Sequence, residues 1–178
     1  GCGYLGRVVA WRWLAAGHQV AALTRSRADE LRSLGIEPVV GDVTDPGLQL
    51  PAADTVLYAV GLDRSAGKSM REVYVGGLSN VLNALPAARR FIYVSSTSVY
   101  GQTDGSWVDE SSPTEPAEEN GRIVLEAERL LRERRPEAVV LRFAGIYGPG
   151  RKMRWAAIER GEPIATDPDG WLNLIHVE

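Results

Sequence analysis

Gly1-Cys2-Gly3-Tyr4-Leu5-Gly6 opens the chain and runs directly into Arg7-Val8-Val9-Ala10-Trp11-Arg12-Trp13-Leu14-Ala15-Ala16-Gly17. Val9, Trp13, Leu14 and Ala16 fall at helical spacing, and Gly17 supplies the left-handed stop that a helix C-terminus favours. Val20-Ala21-Ala22-Leu23 is then short, apolar and bounded by turn formers, as a parallel strand buried on both faces is. Glycines followed by a helix and a strand read as a dinucleotide turn. Gly1 permits the tight bend, Gly3 lets the backbone approach a pyrophosphate, and Gly6 lets helix and strand pack closely. The phosphates would sit on N–H groups at the helix N-terminus.

Such a motif calls for a strand before its first glycine. The sequence starts at that glycine without an initiator Met, so it is read as a fragment, or as a mature chain, whose first strand lies outside it. The run Trp171 to Glu178 likewise stops within a strand-like stretch.

Working outward, strand and helix patterns alternate. Strands are expected near 19–24, 37–41, 54–60, 90–96 and 137–143, and helices near 4–16, 27–34, 67–85, 117–134 and 152–160. Alternation of this kind predicts an α/β fold, a Rossmann-like doubly wound parallel sheet with helices on both faces. The stretch from Thr97 to Pro116 is one long loop, a length that in compact domains points to function or disorder. Residues 1–150 are read as the nucleotide-binding domain and 151–178 as the start of a smaller, truncated substrate region.

The net charge of −3 gives no reason to expect nucleic acid or an anionic membrane surface as partner. No apolar run approaches the roughly 20 residues of a membrane span. A single cysteine, Cys2, excludes an internal disulfide framework and fits a reducing cytoplasm. It is read as a small residue in a glycine turn, and no metal site is expected.

In a sheet of this type the ligand crevice lies at the strand ends. Thr24-Arg25-Ser26-Arg27 stands where an NAD site usually carries an acidic residue, so Arg25, with Arg27, favours a 2′-phosphate and NADP over NAD. Gly41-Asp42-Val43 puts a carboxylate within reach of an adenine amino group. Ala59-Val60-Gly61 supplies small residues beside a ribose, and the next strand ends in Ser95-Ser96-Thr97-Ser98-Val99-Tyr100-Gly101.

With these pieces in place, the chain resembles the extended short-chain dehydrogenase/reductase superfamily of the sugar-nucleotide epimerase/dehydratase type. The matching stretches are GCGYLG, Gly41-Asp42, FIYVSSTSVYG from Phe91 to Gly101, LRFAGIYGPG from Leu141 to Gly150, and Ile175-His176-Val177-Glu178. The resemblance implies a Rossmann domain for NAD or NADP, a smaller C-terminal domain over the nicotinamide, and a homodimer through the 67–85 and 117–134 helices. The cofactor contacts expected are Gly1, Gly3, Tyr4, Leu5, Gly6, Thr24, Arg25, Arg27, Asp42, Val43, Ala59, Val60, Gly61, Val94, Ser95, Ala144, Gly145 and Ile146. The catalytic candidates are Ser96, Thr97 and Tyr100.

The family's reaction uses a Ser or Thr on the substrate oxygen and a Tyr followed four residues later by Lys, which lowers the phenol's pKa from about 10 by stabilising the phenolate. Ser96 matches the serine. Aligning on Glu128 puts the tyrosine position at Asn120 and the lysine position at Val124, one helical turn apart and expected to face the nicotinamide crevice. Neither residue transfers a proton. The only lysines, Lys68 and Lys152, do not stand four residues after a tyrosine. Tyr147 has Arg151 at that spacing, but in a Gly-Pro turn. Tyr100, Tyr147, His176 or water remain as proton sources, with structural readings favoured for Tyr100 and His176. The chain thus resembles the atypical members of the superfamily. Two functions stay open. One is an NAD(P)-dependent oxidoreductase or epimerase on a small carbonyl, hydroxyl or nucleotide-sugar-like substrate with a nonstandard donor; the other is a noncatalytic NAD(P)-binding redox sensor or regulator.

Overall fold

A computed structural model describes residues 1–151, 155–163 and 170–178. The glycine turn is followed at once by helix α1 (Tyr4–Ala15), which Gly17 ends at φ +83°. Strand β1 (Ala21–Thr24), helix α2 (Ala28–Ser33) and strand β2 (Glu37–Val40) follow, and β1 pairs with β2 in parallel from Ala21 opposite Glu37 to Thr24 opposite Val40.

A second parallel sheet holds the order β3-β4-β5, from strands Thr55–Tyr58, Arg90–Ser96 and Val139–Phe143. Helices α3 (Gly77–Ala84) and α4 (Glu119–Arg134) pack on it. Leu78, Phe91, Tyr93, Ala127 and Leu131 are buried together there, and Tyr58 stacks at 5.7 Å from Tyr93. Cys2, Ala10, Leu31 and Ile36 form a separate core between α1, α2 and β1. Cys2 is thus a small buried residue of the turn.

Among the described residues the strands fall into three parallel sheets, and the alternation of parallel strands with helices is that of the expected Rossmann-like α/β fold. β1 and β3 are not hydrogen-bonded to each other and flank an apolar slot of about 140 Å³, lined by Ala22, Leu23, Val56 and Leu57 among others. Beside that slot Ala21 is exposed and Ala22 and Leu23 are half-buried, against the expectation of burial on both faces for the 20–23 run, and most of β3 is half-buried as well.

The helix expected over 67–85 begins late for a local reason. Asp63 caps a short 3-10 turn (Arg64–Ala66), and Gly67 at φ +67° breaks the path. Ser69 and Glu72 then form a reciprocal capping box: Glu72 N–H donates to Ser69 Oγ at 3.2 Å, and Ser69 N–H donates to Glu72 Oε2 at 2.8 Å. A π-helical stretch (Glu72–Gly76) leads into α3. Helix α4 starts at Glu119, two residues after the expected 117.

Strand β6 (Gly145–Tyr147) was not expected, whereas strand β7 (Leu174–His176) lies in the strand-like run expected from Trp171 to Glu178. The two pair in parallel, so a residue pair such as Ile146 and Ile175 spans the anticipated division at 150. Of the helix expected at 152–160, α5 (Trp155–Glu159) is seen; residues 152–154, Lys152 included, lie outside the described residues.

Candidate functional site

The three glycines of the opening turn have distinct surroundings. A Cβ on Gly1 would stand 2.8 Å from the Ala59 carbonyl oxygen, and one on Gly6 would stand 2.1 Å from the Gly1 carbonyl oxygen. Both close approaches require glycine. At Gly3 no heavy atom lies within 4 Å of the corresponding point. Gly3 is also the N-cap of α1, contributes no side-chain cap, and precedes a first turn without acidic residues. The positive end of the helix dipole therefore faces open space with no carboxylate of its own helix to neutralise it.

That turn borders a crevice of about 490 Å³ at the ends of β1, β2 and β3. Of the expected cofactor contacts, Gly1, Gly3, Thr24, Arg25, Arg27, Asp42, Val43, Ala59, Val60 and Gly61 line it. The crevice also has walls that the sequence reading missed, chiefly Asp63 and Lys68. Tyr4, Leu5, Gly6, Val94, Ser95, Ala144, Gly145 and Ile146 are not among its lining residues.

Arg25, Arg27, Asp42 and Asp63, four of the ionic side chains in the crevice, are each held. Thr24 Oγ1 accepts from Arg27 N–H at 3.0 Å, and Arg27 Nη2 donates to the Cys2 carbonyl at 3.2 Å, tying the β1 loop to the glycine turn. Arg25 Nη2 reaches across to Asp63 Oδ2 at 2.5 Å. Asp63 Oδ1 accepts from Ser65 Oγ at 2.6 Å and from Ser65 N–H at 3.0 Å. The Ser65 hydroxyl, then the Arg25 guanidinium, hold the Asp63 carboxyl down at about 2. Asp42 Oδ1 accepts from Thr44 N–H at 2.9 Å and Thr44 Oγ1 at 3.0 Å, which lowers its pKa. Asn80 Nδ2 donates to the Val43 carbonyl at 2.9 Å and fixes this loop.

At the end of β4 the two serines diverge. Ser95 is 6% exposed and its hydroxyl donates to Glu128 Oε1 at 2.6 Å, so its side chain faces the core and not the crevice. Ser96 Oγ accepts from Ser98 N–H at 3.1 Å and caps the short turn Thr97–Val99. Capping uses an acceptor lone pair and leaves the Ser96 O–H as a donor. Thr97 Oγ1 accepts from Asn173 Nδ2 at 3.4 Å, which brings the segment before β7 beside this turn. Tyr100 donates its hydroxyl to the Asp109 carbonyl at 2.8 Å and accepts from Arg142 Nη1 at 2.9 Å. Its proton is held by the long loop.

The two positions of the missing pair do not both face open space. Asn120 is exposed, whereas Val124 is 5% exposed and packs with Val99 and Leu125. The expectation that both look into the crevice is corrected for Val124, because α4 sits tightly on the β4 turn: a Cβ on Gly121 would stand 2.2 Å from the Ser98 carbonyl oxygen. Tyr147 and His176 meet edge to face at 5.1 Å, and His176 Nδ1 accepts from Glu178 N–H at 3.3 Å. Tyr4 donates its hydroxyl to the Pro149 carbonyl at 3.0 Å, so Tyr4 links the start of α1 to the turn after β6.

No helix among the described residues is long and apolar enough to cross a membrane. The model of the NAD dependent epimerase/dehydratase family matches residues 1–161. Protein YeeZ of Escherichia coli K12 is 33% identical over 193 aligned positions, covering 100% of this chain and 67% of YeeZ. A 2-alkyl-3-oxoalkanoate reductase of Shewanella oneidensis is 31% identical over 121 positions, 62% of this chain and 31% of that protein. A short-chain dehydrogenase/reductase superfamily protein from Agrobacterium tumefaciens, solved with bound NAD, superposes with a TM-score of 0.62 at 26% identity over 82% of this chain and 47% of its own. The Bordetella bronchiseptica enzyme WbmG, solved with NAD, shares the fold, with a TM-score of 0.71 at 22% identity over 90% of this chain and 58% of its own. The chain thus spans 67% of YeeZ and a smaller share of the other three relatives. Glycine turn, parallel strands and motif match agree, and the chain belongs to the NAD-dependent epimerase/dehydratase family.

Proposed function

We propose that the crevice binds NADP in preference to NAD and that the chain is part of an oxidoreductase or epimerase acting on a small carbonyl, hydroxyl or nucleotide-sugar-like substrate. The observation that carries this reading is the open space at Gly3, at an uncompensated helix N-terminus, beside a crevice that contains Arg25. The pyrophosphate would lie against Gly3 and the start of α1. Asp42 offers its second carboxylate oxygen to the adenine amino group, Ala59, Val60 and Gly61 admit the ribose, and Arg25 takes the 2′-phosphate. The nicotinamide, when bound, supplies or accepts the hydride. Tyr4, Leu5, Val94, Ala144, Gly145 and Ile146 belong to the proposed nicotinamide end.

In this reading Ser96 donates its hydroxyl to the substrate oxygen, and Thr97 orients the facing segment through Asn173. Tyr100 holds the loop, since its proton is already given to the Asp109 carbonyl. The proton then comes from Tyr147, His176 or water. Likeness to a 2-alkyl-3-oxoalkanoate reductase supports a carbonyl substrate. A homodimer through the 67–85 and 117–134 helices, a substrate region from 151 onward and a cytoplasmic location belong to the same proposal and rest on the family resemblance and the single cysteine.

The experiment is a titration with NAD and NADP, followed by hydride-transfer assays over a panel of carbonyl compounds and nucleotide sugars. Arg25→Ala should weaken NADP by about 1.5 to 3 kcal/mol, as for a hydrogen bond to a charged group, and leave NAD little changed. Ser96→Ala should slow hydride transfer about 10- to 1000-fold at unchanged cofactor affinity, as for loss of one preorganised donor. Binding without turnover across the panel would favour the redox sensor, a reading that Asn120 and Val124 already support by offering no proton.

A further inference from the structure

Among the described residues, the carboxylate that meets Arg25 is Asp63, which arrives from a different strand end, 38 residues along the chain. Both side chains are close to half exposed, at 47% and 45%, so the pair lies at the mouth of the crevice and is open to solvent. Asp63 is not free to move away. Its Oδ1 is fixed by Ser65, as the cap of the Arg64–Ala66 turn, and only Oδ2 is turned to Arg25. The other carboxylate lining the crevice, Asp42, is engaged by Thr44, and the other cations are Arg27, bound to the Cys2 carbonyl, and Lys68.

We infer that Asp63 is a specificity-determining residue: it is a fixed counter-anion that competes with the dinucleotide's 2′-phosphate for Arg25, and so narrows the preference for NADP over NAD. This rests on the dinucleotide reading of the crevice. A 2′-phosphate must take Arg25 from Asp63 and then stand near a carboxylate that Ser65 keeps in place. A 2′-hydroxyl carries no charge and leaves the pair intact. The two cofactors therefore meet different costs at the same side chain. Because the pair is exposed, its strength is modest and is screened by salt.

The test is calorimetric titration of the full chain with NAD and with NADP, at low and high salt. It compares wild type, Asp63→Asn, Asp63→Ser, Arg25→Ala and the Arg25→Ala, Asp63→Asn double variant. Asparagine and serine both keep a capping acceptor for the Arg64–Ala66 turn while removing the charge. The ratio of NAD to NADP dissociation constants should rise about 3- to 10-fold in both Asp63 variants, mostly through tighter NADP, as expected for an exposed pair plus a lost like-charge contact. The rise should shrink at high salt and, measured against Arg25→Ala, should be smaller in the double variant, where only the like-charge contact remains to be lost.

A ratio that stays within about twofold of wild type, or falls, in both Asp63 variants while Arg25→Ala lowers it overturns the role of Asp63 alone. If wild type binds neither dinucleotide, or if Arg25→Ala leaves the ratio unchanged, the dinucleotide reading falls and this inference with it.

Discussion

Arg142 and Glu128 form a two-pronged ion pair inside the protein: Arg142 Nε donates to Glu128 Oε1 at 3.0 Å, and Nη2 donates to Oε2 at 2.8 Å. The Glu128 side chain is 0% exposed and that of Arg142 10%. Ser95 adds a third hydrogen bond to Glu128, and Arg142 lies over the Tyr100 ring at 5.0 Å from its centroid. One carboxylate thereby joins α4, β4 and β5, and through Tyr100 it also holds the loop after the Ser96 turn. Hydrogen bonds to Glu128 push the Arg142 pKa still further up, so its charge is permanent.

Removing Glu128 leaves the Arg142 charge buried without its carboxylate, and removing Arg142 leaves Glu128 with only the longer 3.7 Å contact to Arg132. Glu128→Leu and Arg142→Met should each lower the unfolding free energy by about 3 to 5 kcal/mol, while the double variant should lose less than either. Urea unfolding of the three variants measures this. A double variant that loses the sum of the two singles would show that the residues act independently.

The opening glycines should separate binding from folding. Gly3→Val places a side chain into open space, so the protein should fold with nearly unchanged stability and lose dinucleotide binding. Gly6→Ala puts a methyl group 2.1 Å from the Gly1 carbonyl oxygen and must displace backbone, so its melting temperature should fall as well. Circular dichroism melts beside NAD and NADP titrations distinguish the two. Wild-type cofactor affinity in Gly3→Val would rule out a pyrophosphate at this turn.

Much of this fold is legible in sequence because its signals are local. The helix from Tyr4 to its stop at Gly17 and the strand from Arg90 to Ser96 follow from spacing within a few turns or residues. The capping box of Ser69 and Glu72 was equally local and marks the true start of the helix placed at 67. The pairing of β6 with β7 was not legible, since three-residue strands some thirty positions apart carry no periodicity of their own. Within the site, Arg25 stood out by its place after β1. Asp63 did not, because its meeting with Arg25 depends on how two strand ends come together, although the same strand-end rule applied past Gly61 would have included it.

Asp63 should titrate far below an ordinary carboxyl, near 2. A depressed folded-state value means that its contribution to stability is fully present above the unfolded value of about 3.9 and is lost as pH falls through about 2. Arg25→Ala should raise the Asp63 pKa only in part, because the Ser65 hydroxyl is the larger cause and remains. Side-chain carboxyl NMR across pH 1.5 to 6 reads this directly, at roughly the range where such shifts act. A return to the ordinary value in Arg25→Ala would mean that Ser65 contributes nothing.

Restoring the family's missing pair is a demanding test of the site because the two positions differ so much. Asn120 is exposed and should accept tyrosine at little cost to stability. Val124 packs with Val99 and Leu125 at 5% exposure, so a lysine there would bury an ammonium among apolar side chains. Burial disfavours the charged form, and the lysine would be driven toward neutrality. The Asn120→Tyr, Val124→Lys double variant should therefore lose about 2 to 4 kcal/mol of stability at pH 7, a loss typical of an unpaired buried charge. The unfolded chain holds the extra proton in that range, so stability should recover as pH rises from 7 toward 10. A neutral lysine stabilises no phenolate, and hydride-transfer activity at pH 7 should stay at the level of the single Asn120→Tyr variant. Urea unfolding at pH 7 and pH 9.5, with panel assays at both, checks the argument. A double variant as stable as wild type at pH 7, and more active than the single, would show that α4 can open position 124 toward the cofactor.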